Sequence, residues 1–168
     1  MFVHFLVAII CFYAISITDY GGIYVGMSNY EAYNIFSSNS SFVCYGDYSF
    51  FENKWGNAVI VRTLYNADKE THTVTDIRCY SSLWTNTSPN TFRQIEKGMS
   101  IYEVTSLIGL PYDSKTSGLP SFEYYDTEGN SYCTYFAYPR PGKDNEPWTV
   151  NGILLTRKGS DVSEQILT

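Results

Sequence analysis

The sequence predicts an α+β protein made of two tandem modules, in each of which a short helical pair packs on a small antiparallel sheet. Three observations predict this fold class: a motif that occurs twice, a helix-start signal inside each copy, and strand-like segments joined by short turns after each copy. The chain has 168 residues, 44% of them hydrophobic, which is enough apolar material for a core of this size and gives no sign of disorder.

A seven-residue motif reads GMSNYEA in residues 26–32 and GMSIYEV in residues 98–104. In each copy a serine is followed three positions later by a glutamate, which fits a capping box. The serine hydroxyl then accepts a hydrogen bond from the third helical amide, and the carboxylate reaches back to the serine. Apolar residues follow at helical spacing, so the motif predicts two helix starts. The predicted cap residues are Ser28, Glu31, Ser100 and Glu103.

Segments rich in β-branched and aromatic residues follow each motif and are separated by turn-forming residues. Because the connections are short, consecutive strands are predicted to pair antiparallel. A further helical turn is expected over residues 91–98 and a poorer one over residues 19–25. The predicted strands are residues 41–45, 48–52, 57–65, 73–80, 121–126, 131–138 and 148–156.

The domain prediction is a first module over residues 19–84 and a second over residues 85–160. The polar residues 161–168 are expected to form a frayed tail. Residues 1–17 contain no Lys, Arg, Asp or Glu and are expected to be a secretion signal or a short membrane anchor, with a small-residue cleavage site at residues 14–16. A buried N-terminal strand is the alternative. The protein is thus predicted to be exported, either secreted or held at the cell envelope.

Charge and composition limit the partners. The net charge is −6, whereas a nucleic-acid partner needs a basic footprint, so no nucleic-acid binding is expected. The chain contains 16 tyrosines, and tyrosine is favoured at protein interfaces because it offers a rigid face with a polar tip. An acidic protein with this composition is expected to bind a basic protein partner.

Cysteine and histidine usage limits the chemistry. Beyond residues 1–17 the chain keeps Cys44, Cys79 and Cys133, which allows one disulfide with a free thiol, or no disulfide. A Cys44–Cys79 bond is one of these alternatives, since both residues fall on predicted strands of one sheet. His72 is the remaining histidine of this region, and there is no CxxC motif, so neither a metal site nor a cofactor is expected.

The strand at 131–138 predicts an aromatic face. The residues on one side of this strand are Tyr132, Thr134, Phe136 and Tyr138, and those on the other are Cys133, Tyr135 and Ala137. Small residues suit a face covered by a helix, so the aromatic side is predicted to point outward. The alternative is that many of these rings form the core. The predicted partner-binding residues are Tyr48, Phe50, Trp55, Tyr132, Phe136, Tyr138 and Trp148.

Residues 92–111, FRQIEKGMSIYEVTSLIGLP, resemble a motif shared by two families. The motif is F-x-x-I-x-x-G-M-(S/T)-x-x-(E/Q)-V-x-x-(L/I)-(L/I)-G-x-P, and the families are the outer-membrane assembly lipoproteins of the BamE (SmpA/OmlA) type and the β-lactamase inhibitor protein. The inhibitor has two such modules and the lipoprotein one, so the tandem motif favours the inhibitor-like class. This resemblance implies a non-catalytic protein that grips a partner with a concave sheet surface. The loops at residues 46–47, at 53–54 and after Tyr138 are candidates for probing that partner.

The leading function predicted from the sequence is therefore that of a non-catalytic, exported module that binds a protein through its aromatic face. One alternative is carbohydrate or cell-wall binding, for which aromatic rings beside Asp47, Glu123 and Asp126 are suited. Hydrolysis by a carboxylate pair is a less favoured alternative. A structural role in envelope assembly, with membrane attachment through residues 1–17, is a further one.

Overall fold

A computed structural model describes residues 15–38, 42–53, 57–80, 87–115 and 118–167. The structure is mostly β, with 45% of residues in strands and 15% in helices. The described residues form two five-stranded antiparallel sheets, one two-stranded hairpin and three short helices. The prediction of two helical-pair modules is therefore wrong, because the described part of the first half has a single helix and that of the second half has two.

The elements of the first half are β1 (Ile15–Ser16), β2 (Asp19–Tyr20), β3 (Ile23–Tyr24), α1 (Asn29–Phe36), β4 (Phe42–Tyr45), β5 (Tyr48–Glu52), β6 (Ala58–Asn66) and β7 (Thr71–Tyr80). Those of the second half are α2 (Pro89–Phe92), α3 (Ile101–Ile108), β8 (Asp113–Lys115), β9 (Ser121–Tyr125), β10 (Ser131–Ala137), β11 (Thr149–Thr156) and β12 (Ser163–Leu167). Sheet 1 has the order β1-β7-β6-β5-β4, and sheet 2 has the order β12-β11-β10-β9-β8.

All seven predicted strands are present, with ends within two residues of the predicted ones. The helical turn expected over residues 19–25 is instead the β2–β3 hairpin. Its turn is made by Gly21 and Gly22, whose φ angles of 58° and 91° lie outside the helical region. This hairpin takes the place that the second helix of the first module was predicted to occupy.

Two segments outside the predicted modules belong to the sheets. Ile15 lies opposite Cys79 on β7, and the Ile17 N–H donates to the Ile77 carbonyl at 3.1 Å, so residues 15–17 extend sheet 1. Residues 163–167, expected to fray, form edge strand β12; its pairing with β11 uses backbone groups and needs no apolar side chains. Residues 1–14 lie outside the described part. No helix among the described residues is long and apolar enough to span a membrane.

Both copies of the motif form a capped helix start. The Ser28 hydroxyl accepts from the Glu31 N–H at 3.3 Å, and the Ser100 hydroxyl accepts from the Glu103 N–H at 3.2 Å. Each glutamate carboxylate accepts from the backbone N–H of its serine, so both boxes are complete.

The residues just before each helix pair with a long strand in the same way. The Gly26 N–H donates to the Val74 carbonyl at 2.8 Å, and the Gly98 N–H donates to the Val150 carbonyl at 2.9 Å. Each valine N–H donates back to the methionine of the motif, at 2.8 and 2.7 Å. Both valines follow a threonine, so a second, two-residue repeat accompanies the first motif.

Sheet 1 is covered on both faces. One face packs against α1 in a cluster that includes Phe36, Phe51 and Val61. The other face, with Phe50 and Ile60, joins a larger cluster that also contains the buried side chains of α2, α3 and one face of sheet 2. The opposite face of sheet 2 is only half-buried. The core therefore lies on both sides of sheet 1 but on one side of sheet 2.

The Cys44–Cys79 disulfide is ruled out by strand order. Cys44 lies on β4 and Cys79 on β7, and both β5 and β6 separate them. Neighbouring strands lie about 4.8 Å apart, which puts these residues about 14 Å apart. A disulfide needs Cα atoms within about 7 Å. Cys44, Cys79 and Cys133 are all free thiols.

Candidate functional site

Most of the predicted aromatic face is core. The buried residues of this set, none more than 3% exposed, are Tyr48, Phe50, Tyr132, Phe136 and Trp148. The face of β10 that was expected to point outward is the inner one, because large rings rather than small residues fill the space below the helices. The Phe92 ring of α2 stacks on Tyr132 with a centroid distance of 3.7 Å. These five residues are therefore unavailable as partner contacts in this structure.

The remaining two predicted residues differ from these five. Tyr138 is 53% exposed, whereas Trp55 lies outside the described residues. Tyr138 is thus the described member of the set that a partner can reach.

Tyr138 borders a cleft between the two halves of the molecule. The cleft has a volume of about 670 Å³. One wall is formed by the β4–β5 turn and by the adjoining ends of β6 and β7, and the other by the loop that follows β10. Its lining includes Asp47, Tyr65, His72, Thr75, Tyr138 and Asp144. Two of the three predicted probing loops, at residues 46–47 and after Tyr138, therefore meet at this site.

The third predicted loop has a structural role in its described part. The Asn53 side-chain amide donates to the Tyr20 hydroxyl, and its carbonyl oxygen accepts from the Asn57 N–H at 2.9 Å. Asn53 is buried, so it supports the β5–β6 connection rather than facing a partner. Lys54 lies outside the described residues.

The β4–β5 turn fixes the position of Asp47. Gly46 has a φ of 56°, a left-handed conformation that glycine adopts without steric cost. A Cβ atom at Gly46 would lie 2.8 Å from Cη2 of the buried Trp148 ring, so the turn also needs glycine for space. The Asp47 carbonyl accepts from the Thr63 N–H at 2.8 Å. The backbone of Asp47 is therefore held by β6 on one side and by the turn packed on Trp148 on the other.

The Asp47 carboxyl group is half-buried, and its neighbours shift its pKa in opposite directions. Burial raises its pKa above the ordinary value, and the negative charge of Asp144 acts in the same direction. The positive charges of Arg62 and His72 lower the pKa but do not offset burial. No ion pair among the described residues involves Asp47.

Arg62 ties the two walls of the cleft together. This side chain on β6 is 4% exposed and donates to the carbonyls of Asp144, Asn145 and Glu146, at 2.6, 2.8 and 2.8 Å. A buried guanidinium needs acceptors, and here three backbone carbonyls supply them for Nη1 and Nη2, while Nε is buried without an acceptor among the described residues. The loop after β10 is consequently anchored to sheet 1.

Exposed rings stand at the rim of the cleft. Tyr65 is 61% exposed and makes an edge contact with His72 at a centroid distance of 5.6 Å. The Tyr138 ring packs against Trp148 at a centroid distance of 5.2 Å and an interplanar angle of 77°, and Tyr138 is 53% exposed. A carboxylate beside exposed aromatic faces is suited to binding a cation or a hydroxylated ligand. Within the described part, no hydrogen bond joins His72 to a hydroxyl or carboxylate, as a nucleophile and its base would require.

The other two carboxylates proposed for sugar binding are engaged inside the protein. Glu123 pairs with Lys115 at 3.2 Å and accepts from the Ser131 hydroxyl at 2.6 Å. Asp126 accepts from the Asn130 side chain at 2.8 Å and from the Tyr132 hydroxyl at 3.0 Å. Asp47 is the member of this group that faces the cleft. Among the described residues, no group of three His, Cys, Asp or Glu side chains is arranged to hold a metal ion.

Sequence reasoning missed Tyr65 and Asp144 as members of this site. Tyr65 and His72 are opposite each other in the β6–β7 pairing, which the antiparallel strand prediction could have indicated. Asp144 reaches the site only through the long loop held by Arg62, and no local pattern signals that contact.

No protein-family model matches the chain, and comparisons with curated proteins and with solved structures also give no match. The resemblance of residues 92–111 to the two motif families stays a prediction.

Proposed function

We propose that the protein is a non-catalytic, exported binding module whose protein partner docks at the cleft between the two halves. The observation that carries this proposal is the convergence of Asp47, from the first half, with Tyr138, from the second, around one open concavity. A partner that fills this cleft contacts both halves at once. Export remains part of the proposal through residues 1–14, which precede β1 and contain no Lys, Arg, Asp or Glu.

The surface chemistry of the cleft supports a protein partner. Exposed tyrosines supply a large share of the binding energy at interfaces, often about 2 kcal/mol or more for each ring that becomes fully buried. Tyr65 and Tyr138 are both more than half exposed and lie on opposite walls. The net charge of −6 favours approach of a basic partner.

Carbohydrate binding is a second candidate, supported by one feature of the same cleft. Tyr65 and Tyr138 flank the Asp47 carboxylate, and sugar rings stack on aromatic faces while their hydroxyls donate to carboxylates. A glycan array separates the two candidates, since binding of a defined oligosaccharide that is lost in Tyr138→Ala supports the second.

The proposal is tested by comparing two double variants in capture experiments from secreted or envelope fractions. Tyr65→Ala/Tyr138→Ala removes the rings of the cleft, whereas Tyr112→Ala/Tyr125→Ala removes a pair of exposed, mutually contacting rings elsewhere on the surface. We expect the first variant to lose a protein that the wild type captures and the second to retain it. Retention by the cleft variant, or loss only by the control variant, would overturn the proposal.

A further inference from the structure

The chemistry of the cleft identifies the kind of group that it receives. Asp47 carries a half-buried carboxylate on a backbone that the Gly46 conformation and the Thr63 hydrogen bond hold in place. A short side chain on a fixed backbone loses little conformational freedom when it binds a ligand. The ligand that gains most from such a group carries a positive charge.

The described part of the protein supplies no ion-pair partner for this carboxylate. Arg62 is buried beneath the cleft, but its guanidinium is engaged by backbone carbonyls of residues 144–146. His72 lies at the cleft wall and contacts the Tyr65 ring. The groups that act on Asp47 are thus Arg62, His72, Asp144 and the Trp148 indole N–H, and none of them forms an ion pair with it. An incoming cation would therefore gain a direct charge contact with Asp47.

The exposed rings narrow the choice of cation. Tyr138 and Tyr65 line the same cleft as Asp47 and are both more than half exposed. A planar guanidinium stacks on aromatic faces while donating two parallel hydrogen bonds to a carboxylate. A lysine ammonium makes the charge contact but does not stack, and it holds its water more strongly. The volume of about 670 Å³ leaves room for a long side chain together with part of its backbone.

We propose that the cleft binds an arginine side chain of the partner, with the guanidinium against the Asp47 carboxylate and stacked on Tyr138. This inference rests on the proposed function, since it names the group that the docking cleft recognises. Charge complementarity is its basis: the described lining of the cleft carries the carboxylates of Asp47 and Asp144 and contains no Lys or Arg side chain.

The test is a titration of the full chain with N-acetyl-arginine methylamide, followed by NMR amide shifts. The matched ligand is N-acetyl-citrulline methylamide, which keeps the shape of arginine and lacks its charge. We expect arginine to shift residues around Asp47, Tyr65 and Tyr138 and to bind about tenfold or more tightly than citrulline. Equal binding of the two ligands, or shifts confined to another part of the surface, would overturn the inference.

A matched pair of variants assigns the effect to one carboxylate. Asp47→Asn should weaken arginine binding by about tenfold or more, while Asp161→Asn, an exposed acid outside the cleft, should leave it unchanged. The amide spectrum of Asp47→Asn away from the cleft serves as the check that it folds. An unchanged affinity in a folded Asp47→Asn variant would contradict the assignment.

The two proposals fail in different ways. If arginine does not bind, yet Tyr65→Ala/Tyr138→Ala abolishes partner capture, the proposed docking at the cleft is retained and the arginine inference is wrong. If arginine binds at Asp47, but the same double variant captures the partner normally, the proposed function is wrong and the cleft is a separate cation site.

Discussion

The two sheets follow the same capped-helix motif along the chain, yet they are buried differently. In β5 of sheet 1, four consecutive residues are buried, whereas in β10 of sheet 2 buried and half-buried residues alternate. Sheet 1 lies between α1 and the packed face of the second half, while sheet 2 is covered on one side. A local motif thus sets where a helix begins, but it does not set how many faces of the following sheet will be covered.

This difference explains why the prediction of an exposed aromatic face was wrong. Tyr48 and Phe50 on β5 and the inner rings of β10 belong to the cluster in which the two halves pack together, so the surface expected to bind a partner is buried inside the molecule. What remains exposed where the halves meet is a cleft at one end of this contact. Four measurements of variant stability test this account of the molecule.

The largest effect is expected from removing a buried ring on the face of sheet 1 that packs against α1. Phe51 is buried against α1 and stacks with Phe36 at a centroid distance of 5.8 Å. Phe51→Ala should lower the free energy of unfolding by about 3–5 kcal/mol. Tyr135→Ala, on the half-buried face of sheet 2, should lower it by about 1 kcal/mol. Equal losses in urea unfolding would show that the two sheets do not differ in coverage.

The next effect concerns glycines that share a left-handed conformation. Gly46→Ala should lower the free energy of unfolding by about 3 kcal/mol, because it combines backbone strain with a clash against Trp148. Gly26 and Gly98 have φ angles of 93° and 91°, and a methyl group added at either would meet no neighbouring atom within 4 Å. Their alanine variants should each cost about 1–2 kcal/mol from strain alone. A Gly46→Ala loss no larger than these would remove the evidence that Trp148 sets the turn.

The caps test whether the two helix starts are energetically equivalent. Ser28→Ala and Ser100→Ala each remove the hydroxyl that accepts from the third helical amide, so each should cost about 1 kcal/mol. We expect the two losses in the free energy of unfolding to be equal. The helix α3 has more buried residues than α1, but the capping hydrogen bonds of the two helices are alike. Thermal or urea unfolding measures both. A loss confined to one variant would mean that tertiary contacts, not the cap, hold the other helix start.

The smallest effect is a gain in stability at the cleft. Because burial raises the pKa of Asp47, the folded protein binds this proton more tightly than the unfolded chain does, and the ionised carboxyl group costs stability above that pKa. Asp47→Asn should therefore unfold at higher urea than the wild type at neutral pH. The difference should disappear as the pH falls below the ordinary pKa of aspartate. Asp161→Asn is the control, and a destabilised Asp47→Asn variant would contradict the sign.

Local features of the sequence predicted much of the fold. The capping boxes depend on side chains three residues apart, and the strands depend on β-branched and aromatic runs between turn residues. The edge strand β12 was missed because it joins β11 through backbone pairing and polar side-chain contacts, such as Thr156–Ser163 at 2.7 Å, rather than through an apolar pattern. The β2–β3 hairpin was missed because Gly21 and Gly22 interrupt a weak helical pattern.

The sequence identified the loops at residues 46–47 and after Tyr138 as candidates for the site, but it did not indicate that they lie next to each other. Asp47 and Tyr138 were among the candidates, whereas Asp144 joins them through the Arg62 hydrogen bonds, which connect residues more than 80 positions apart. Alternation along β10 separated its two faces correctly but could not decide which one faces the core. That decision depends on the ring of Phe92 and on the packing of the other half.

The amino-acid sequence by itself determined the helix starts and the strand positions, because each depends on hydrogen bonds, sterics and side-chain patterns within a few residues. Only the tertiary structure decided which aromatic rings are buried, that Cys44 and Cys79 stay apart, and that a carboxylate and two tyrosines share one cleft. These outcomes depend on how two sheets pack against each other, and the free energy of that packing comes from surfaces brought together from distant parts of the chain.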